Sequence, residues 1–317
     1  RSPLTKKAFA TIIKKGGVKK LGFEKHSLTF AEYERLQKDL RTPRGWPKDS
    51  PEVELIPTNY LIENLRMIKS VDEISAIEKA CKIGDKAFDY VLAEIKPGIT
   101  EKELAFEIEL FIRKANAEIS FPPIVAFGTN SSIPHHQSTH NTKLITNNIV
   151  LLDFGVKVDN YCSDMTRTVF VGKASREQRH MYQTVLEAQK RAIEYLNKYS
   201  SREARRSGTN REVSSRLRSN NKLNASNVDK IARVYITSQG YPTIPHSLGH
   251  GIGLEVHEPP SLSPKSKAIL KPDMVFSIEP GIYLPVSSRR SLGEGGEVGG
   301  IRIEDLVVLE PSGPRHL

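Results

Sequence analysis

Asp153 closes the apolar run Val150-Leu151-Leu152, and Asp164 follows eleven residues later in Tyr161-Cys162-Ser163-Asp164-Met165-Thr166-Arg167. A loop over Gly155–Asn160 would pair the two segments as a hairpin. Both carboxylates would then sit on neighbouring strands, on one face if the register permits. Carboxylates placed this way repel unless a positive charge lies between them, and a divalent cation is the direct solution. Either aspartate alone reads equally well as a strand-end or turn acid. A second concentration of chemistry lies at His246, His250 and His257, three of the nine histidines within twelve residues. The pair four apart lacks the glutamate that follows the first histidine of a helical zinc site. Gly249, Gly251 and Gly253 alternate through the same segment and suit close backbone approach around His250. Imidazole at this density points to a site. Glu279 and Glu304 each end an alternating apolar segment, where a buried carboxylate needs a partner. Ion pairs with Arg302 or Arg167 are the structural alternative for both.

The elements that must hold these residues are legible as changes of period. A helix is expected over 4–16, ending at Gly16-Gly17. Short strands over Lys19–Phe23 and Glu52–Pro57 flank a helix over Phe30–Leu40, with a loop over Pro43–Pro51. This β-α-β stretch of about 60 residues is too small for a complete α/β domain. Ile74, Ile77, Ala80, Ala87 and Val91 mark one face of a helix over Asp72–Ile95, stopped by Pro97-Gly98. Thr100 with Glu103 is a capping box for the next helix, which carries Leu104, Ile108, Phe111 and Ile112. Strands are expected over Ile124–Phe127, Ile149–Phe154 and Tyr161–Val171, then helices over Ser175–Tyr199 and Ala225–Gln239. The last hundred residues return to strands around His257, over Met274–Glu279 and over Gly300–Leu309. Two helices, strands, two helices and strands thus follow in a pseudo-symmetric order. Ser200–Asn224 has almost no periodic apolar content and reads as an exposed loop.

At 317 residues the chain is one large domain or two ordinary ones, and 38% hydrophobic with 26% charged residues is a globular profile. Its longest apolar runs are too short to cross a bilayer. No secretion signal is readable after Arg1, although the chain does not begin with methionine. Cys81 and Cys162 argue against a disulfide framework, have no partner at metal-ligand spacing and fit a reducing cytoplasm. The net charge of +10 is local. Residues 1–25 carry eight Lys/Arg against Glu24, and residues 198–222 carry eight against Glu203 and Glu212. Neither patch interleaves aromatic residues for base stacking, so nucleic acid is not the expected partner.

Taken in order, Asp153, Asp164, His250, Glu279 and Glu304 resemble the ligand set of the pita-bread metallopeptidases. That family includes methionine aminopeptidase, aminopeptidase P, prolidase and the non-metal creatinase. The resemblance runs from about Leu61 to Leu309 and includes the lead-in Asn64-Leu65-Arg66-Met67-Ile68-Lys69-Ser70. It implies an α+β pita-bread (creatinase/aminopeptidase) catalytic domain over 69–317. Residues 1–68 would then be the truncated end of an α/β N-terminal domain. The five residues would hold two divalent metal ions, Asp153 and Asp164 the first, His250 and Glu279 the second, with Asp164 and Glu304 bridging. A carboxylate-rich set with one imidazole suits manganese, with cobalt, zinc or iron as alternatives. A water shared by the two ions would attack the scissile carbonyl as hydroxide, Glu279 passing its proton to the leaving nitrogen.

Within the family, Ser277-Ile278-Glu279-Pro280-Gly281-Ile282-Tyr283 and Gly300-Ile301-Arg302-Ile303-Glu304-Asp305 look like the Xaa-Pro branch, aminopeptidase P and prolidase. Methionine aminopeptidases continue differently after both glutamates. Ile133-Pro134-His135 resembles the family's substrate-facing histidine segment and His257 its second such histidine. His136 is adjacent, so taking His135 is a choice. By this resemblance Glu279, His257 and His135 are catalytic, and His135, His246, His257 and Arg302 bind substrate. The substrate would be a peptide with proline at its second position, and the assembly a homodimer. The alternatives are a methionine aminopeptidase-like enzyme, metal-free creatinase-like hydrolysis, and a non-catalytic pita-bread binding or chaperone protein. The intact ligand set counts against the last two.

Overall fold

The computed structural model describes residues 12–13, 16–41, 53–207, 222–285 and 299–317. The Pro43–Pro51 loop lies outside the described residues, as does the helix expected over 4–16 apart from residues 12, 13 and 16. The chain divides into units of residues 1–65 and 66–317. In the first, β1 (Lys20–Glu24) and β2 (Glu54–Thr58) pair in parallel, which demands a crossover, and α1 (Phe30–Arg41) supplies it. Thr29 and Glu32 cap that helix reciprocally: the Glu32 amide donates to Thr29 Oγ1 at 3.3 Å and the Thr29 amide to Glu32 Oε2 at 3.0 Å. Ile13, Leu40 and Val53 form its small buried centre.

The second unit sets a helix pair against each of two groups of strands. α2 (Val71–Glu94) and α3 (Glu101–Lys114) both start with complete capping boxes, Ser70 with Glu73 and Thr100 with Glu103. Their buried faces, Ala80, Ala87 and Val91 on one and Leu104, Ile108 and Ile112 on the other, meet Val150, Leu152 and Phe154 of β5 (Asn148–Phe154). Each valine, leucine, isoleucine or phenylalanine among them contributes about 1.5–3 kcal/mol by leaving water. Alternation along β5 then sends Ile149, Leu151 and Asp153 to the opposite face, so the packing of the helices decides where Asp153 points. β5 lies between β4 (Ile124–Phe127) and β8 (Met165–Val171), antiparallel to both.

A three-stranded sheet of β3 (Glu118–Ile119), β6 (Val156–Val158) and β7 (Tyr161–Cys162) stands beside them. In the second half, α4 (Arg176–Ser207) and α5 (Ala225–Ser238) bury Val185, Ala188, Ala192, Val228, Ala232 and Ile236 against the strands. Those strands form a sheet ordered β10 (Glu258–Leu262), β9 (Gly249–Gly251), β11 (Val275–Ile278), β14 (Asp305–Glu310), β15 (Gly313–His316). β12 (Gly281–Leu284) and β13 (Gly299–Arg302) pair separately. The two halves meet where Thr166 bridges to Glu304 and where Thr168 Oγ1 donates to the Arg302 carbonyl at 3.0 Å.

Three expectations need correction. Gly300–Leu309 is two strands, one ending at Arg302 and paired with β12, the other starting at Asp305 and paired with β11. Tyr161–Val171 is not one strand: it breaks at Ser163-Asp164. The first piece folds back on β6 through Asp159-Asn160, both at positive φ, and only the second piece returns to β5. The Ser163 hydroxyl accepts from the Val156 amide at 3.0 Å, and at Gly155 a Cβ would meet the Ser163 carbonyl oxygen at 2.0 Å. The chain therefore changes sheets at Gly155 and Ser163, and Asp164 sits at that crossing. The loop expected over Ser200–Asn224 begins late, because α4 runs on to Ser207. Arg202, Ala204, Arg205 and Arg206 are of types with high helix propensity. Residues 208–221 lie outside the described residues. Among the described residues, no helix is long and apolar enough to cross a membrane.

Candidate active site

Strand ends deliver the acidic groups. Asp153 lies opposite Thr166 in the β5–β8 ladder, and Asp164 directly precedes β8. Glu279 follows β11, with its amide donating to the Leu248 carbonyl at 2.7 Å. Glu304 fills the gap between β13 and β14, with its amide donating to the Thr166 carbonyl at 3.1 Å. His250 is the centre of β9, which runs between two other strands at very short range. A Cβ at Gly249 would meet the Ser277 carbonyl oxygen at 1.9 Å, and one at Gly251 the Pro259 carbonyl oxygen at 2.2 Å. The glycines flanking His250 are therefore a packing requirement.

His250 Nε2 lies 3.4 Å from Glu279 Oε1, 3.6 Å from Asp164 Oδ2 and 4.0 Å from Glu304 Oε1. Ligand atoms of Asp164, His250 and Glu304 all fall within 4.8 Å of one another. His250 Nδ1 is 3.1 Å from the Gly251 carbonyl, which can only accept. That hydrogen bond puts the ring proton on Nδ1 and leaves the Nε2 lone pair facing the carboxyls. Two buried oxygens in the same place, Asp164 Oδ1 and Glu304 Oε1, have no hydrogen-bond partner. Asp153 is placed differently: its Oδ2 accepts from Arg302 Nη2 at 2.5 Å.

Burial pushes Asp164 and Glu279 well above the usual carboxylate range, and the neighbouring Glu304 adds to both shifts. Glu304 is pushed up to about 7 by burial and then by Asp153. Burial also raises Asp153, against the pull of Arg302. The imidazoles move the other way. Burial brings His250 and His246 down to about 4, and lowers His257, on which His135 then acts as a nearby like charge. Carboxyls that resist ionising together, two orphaned oxygens and an uncharged imidazole lone pair form a donor set short of positive charge. Oxygen-rich donors with one nitrogen fit a divalent transition metal.

The remaining expected residues fall around this group. His257 packs edge-on against His250, ring centroids 4.3 Å apart. His246 is turned to Tyr283, its Nε2 2.8 Å from the phenol oxygen, and its Nδ1 is 2.7 Å from the Ser247 carbonyl. His135 is exposed, whereas His136 points away to Glu101, 2.8 Å from its Oε2. Arg302, expected at the substrate, is engaged by the chain itself. Besides Asp153 it donates to Thr166 Oγ1 at 3.0 Å, the Tyr283 hydroxyl at 2.9 Å and the Pro134 carbonyl at 3.3 Å. Thr166 and Tyr283 escaped the sequence reading although both lie in the quoted segments. At Gly281 a Cβ would meet the Tyr283 hydroxyl at 2.6 Å, a constraint that exists only once the chain is folded. Both cysteines are free, and burial pushes the Cys81 thiol up to about 12, away from nucleophilic use.

The family model for metallopeptidase family M24 matches residues 75–311. The chain belongs to metallopeptidase family M24. The model for the creatinase/prolidase N-terminal domain matches residues 2–68 of this M24 chain. It is 37% identical over 311 residues to the uncharacterized peptidase YqhT of Bacillus subtilis, covering 97% of this chain and 75% of that protein. An Xaa-Pro dipeptidase from Bacillus anthracis superposes with TM-score 0.80 at 36% identity, covering 100% of this chain and 77% of the other. An X-Pro aminopeptidase from Thermotoga maritima gives 0.78 at 29% identity, covering 100% and 78%. The α+β pita-bread fold is thus the one the resemblance implied, and the M24 chain is a metallo-exopeptidase.

Proposed function

We propose that this M24 peptidase hydrolyses the bond between an N-terminal residue and proline, using two divalent cations, with manganese first among the candidates. The observation that carries the reading is the buried group of Asp164, His250 and Glu304, whose orphaned oxygens and uncharged imidazole lack only a cation. The proline preference is carried over from the Xaa-Pro dipeptidase and X-Pro aminopeptidase to which the chain is similar.

Asp153, Asp164, His250, Glu279 and Glu304 would hold the cations, which when bound acidify a water and polarise the scissile carbonyl. Arg302 keeps Asp153 in place, and Thr166 does the same for Glu304 by donating to its Oε2 at 2.8 Å. Glu279 accepts a proton from the attacking water and returns it to the leaving proline nitrogen. His257, held uncharged by burial, and the exposed His135 present N–H groups to the substrate carbonyl. His246 and Tyr283 form the wall next to Arg302. A homodimer belongs to the same reading, and a monomer mass by light scattering would remove that part.

The test is hydrolysis of Ala-Pro, Ala-Pro-Gly and Met-Ala-Gly by chelator-stripped protein with and without added Mn²⁺. Metal-dependent cleavage before proline is expected, and the ratio of dipeptide to tripeptide turnover separates a dipeptidase from an aminopeptidase P. Preference for Met-Ala-Gly would transfer the chain to the methionine aminopeptidases. A folded protein inert with every metal would make it a binding protein.

A further inference from the structure

Glu101 is the first residue of α3, and its side chain is fully buried although no step above uses it. Its carboxyl collects five donors. Oε1 accepts from the Phe127 amide at 2.9 Å and Asn130 Nδ2 at 2.8 Å. Oε2 accepts from His136 Nε2 at 2.8 Å, the Thr139 amide at 3.1 Å and Thr139 Oγ1 at 3.3 Å. A carboxylate offers acceptors on both oxygens, which a neutral amide does not. The start of α3 also places the positive end of a helix dipole beneath it. All five donors belong to one stretch of chain, residues 127–139, that leaves β4 and passes through the 3₁₀ turn Gly128–Ser132.

The other edge of that stretch is the wall of the active site. Ser131 Oγ accepts from the Gly300 amide at 2.7 Å, and a Cβ at Gly300 would meet the Ser131 carbonyl oxygen at 2.0 Å. The Pro134 carbonyl accepts from Arg302. A turn closed by the His136 amide donating to the Ile133 carbonyl at 3.1 Å puts His135 at its corner. With His136 drawn to Glu101, His135 is left exposed.

We propose that Glu101 is a positioning residue for the peptidase reaction: by gripping residues 127–139 it presents His135 to the substrate. This rests on the reading above only for the role of His135. Glu101→Gln keeps the size of the side chain but turns an NH₂ group toward hydrogen-bond donors, so the grip is lost on one side.

The experiment combines kinetics on Ala-Pro with a crystal structure of E101Q. A displacement of about 1 Å at His135 is expected to cost about 100-fold in kcat/KM, with kcat falling in step. In a His135→Ala background the same substitution should cost less than about twofold, since Glu101 acts through His135. Should E101Q fail to fold, His136→Ala still leaves Oε2 the two Thr139 donors. It should lose about tenfold, again only while His135 is present. An equal loss with and without His135, or a crystal structure in which His135 has not moved, would overturn the proposal. A wild-type protein that leaves Xaa-Pro bonds intact would sink the functional reading instead, while the crystal structure would still decide Glu101.

Discussion

Glu101 and the pair Asp164 and Glu304 are buried carboxyls in one domain, and they are treated in opposite ways. Five donors from the chain close around Glu101. At Asp164 and Glu304 an oxygen each is buried and unpaired, and the uncharged His250 Nε2 lies 3.6 Å from Asp164 Oδ2 and 4.0 Å from Glu304 Oε1. Glu258 is a third variant, met by the chain's own cations: Lys69 at 2.8 Å and Arg66 at 2.5 Å. Burying a carboxylate costs several kcal/mol unless donors or cations meet it. Where the chain supplies them, the acid is architecture. Where it does not, the acid is left with a deficit that a ligand of positive charge would relieve.

The largest effect that separates the two treatments is on catalysis. Asp164→Asn should reduce Xaa-Pro hydrolysis by more than about 1000-fold. The melting temperature of the chelated protein should not fall, because an amide there relieves repulsion. The mirror experiment is Glu101→Ala, which strands five donors. It should destabilise the fold by about 3–5 kcal/mol in urea unfolding whether or not metal is present. If the two variants exchanged these signatures, the distinction between satisfied and unsatisfied acids would fail.

Proton competition gives a smaller, graded effect. Burial and Asp153 raise Glu304 to about 7 in the metal-free protein, so below that pH a cation must displace a proton. Asp164 and Glu279 are raised as well, so affinity for Mn²⁺ should fall by at least about tenfold per unit as pH drops from 7 to 5. A flat profile down to pH 5 would mean that Glu304 ionises as an ordinary carboxyl. At the small end stands Arg315, which bridges Glu78 at 2.8 Å and Glu310 at 2.5 Å but is 43% exposed. Arg315→Ala should cost under about 1 kcal/mol, vanishing in high salt, because water already satisfies those charges.

Much of the frame was legible because it depends on local rules. The capping boxes at Thr100 and the alternation that turns Asp153 away from Val150, Leu152 and Phe154 follow from spacing alone. Asp164, His250, Glu279 and Glu304 could be picked out by type and order. Their approach to within 3.4–4.0 Å of one nitrogen depends on strand pairing between residues far apart in the chain. The break at Ser163 was missed because Tyr161–Val171 alternates like a single strand. Glu101 was invisible for a different reason. It begins a helix just as Glu103 does, and only the fold of residues 127–139 over it makes one acid buried while the other stays exposed.

Titration of chelator-stripped protein with Mn²⁺ in a calorimeter at pH 8 tests most directly whether the orphaned carboxyls form the cation site. Two ions per chain are predicted for the wild type and for Glu101→Gln, with uptake lost in Asp164→Asn. A folded wild type that takes up no ion, or an Asp164→Asn variant that binds as the wild type does, would contradict it.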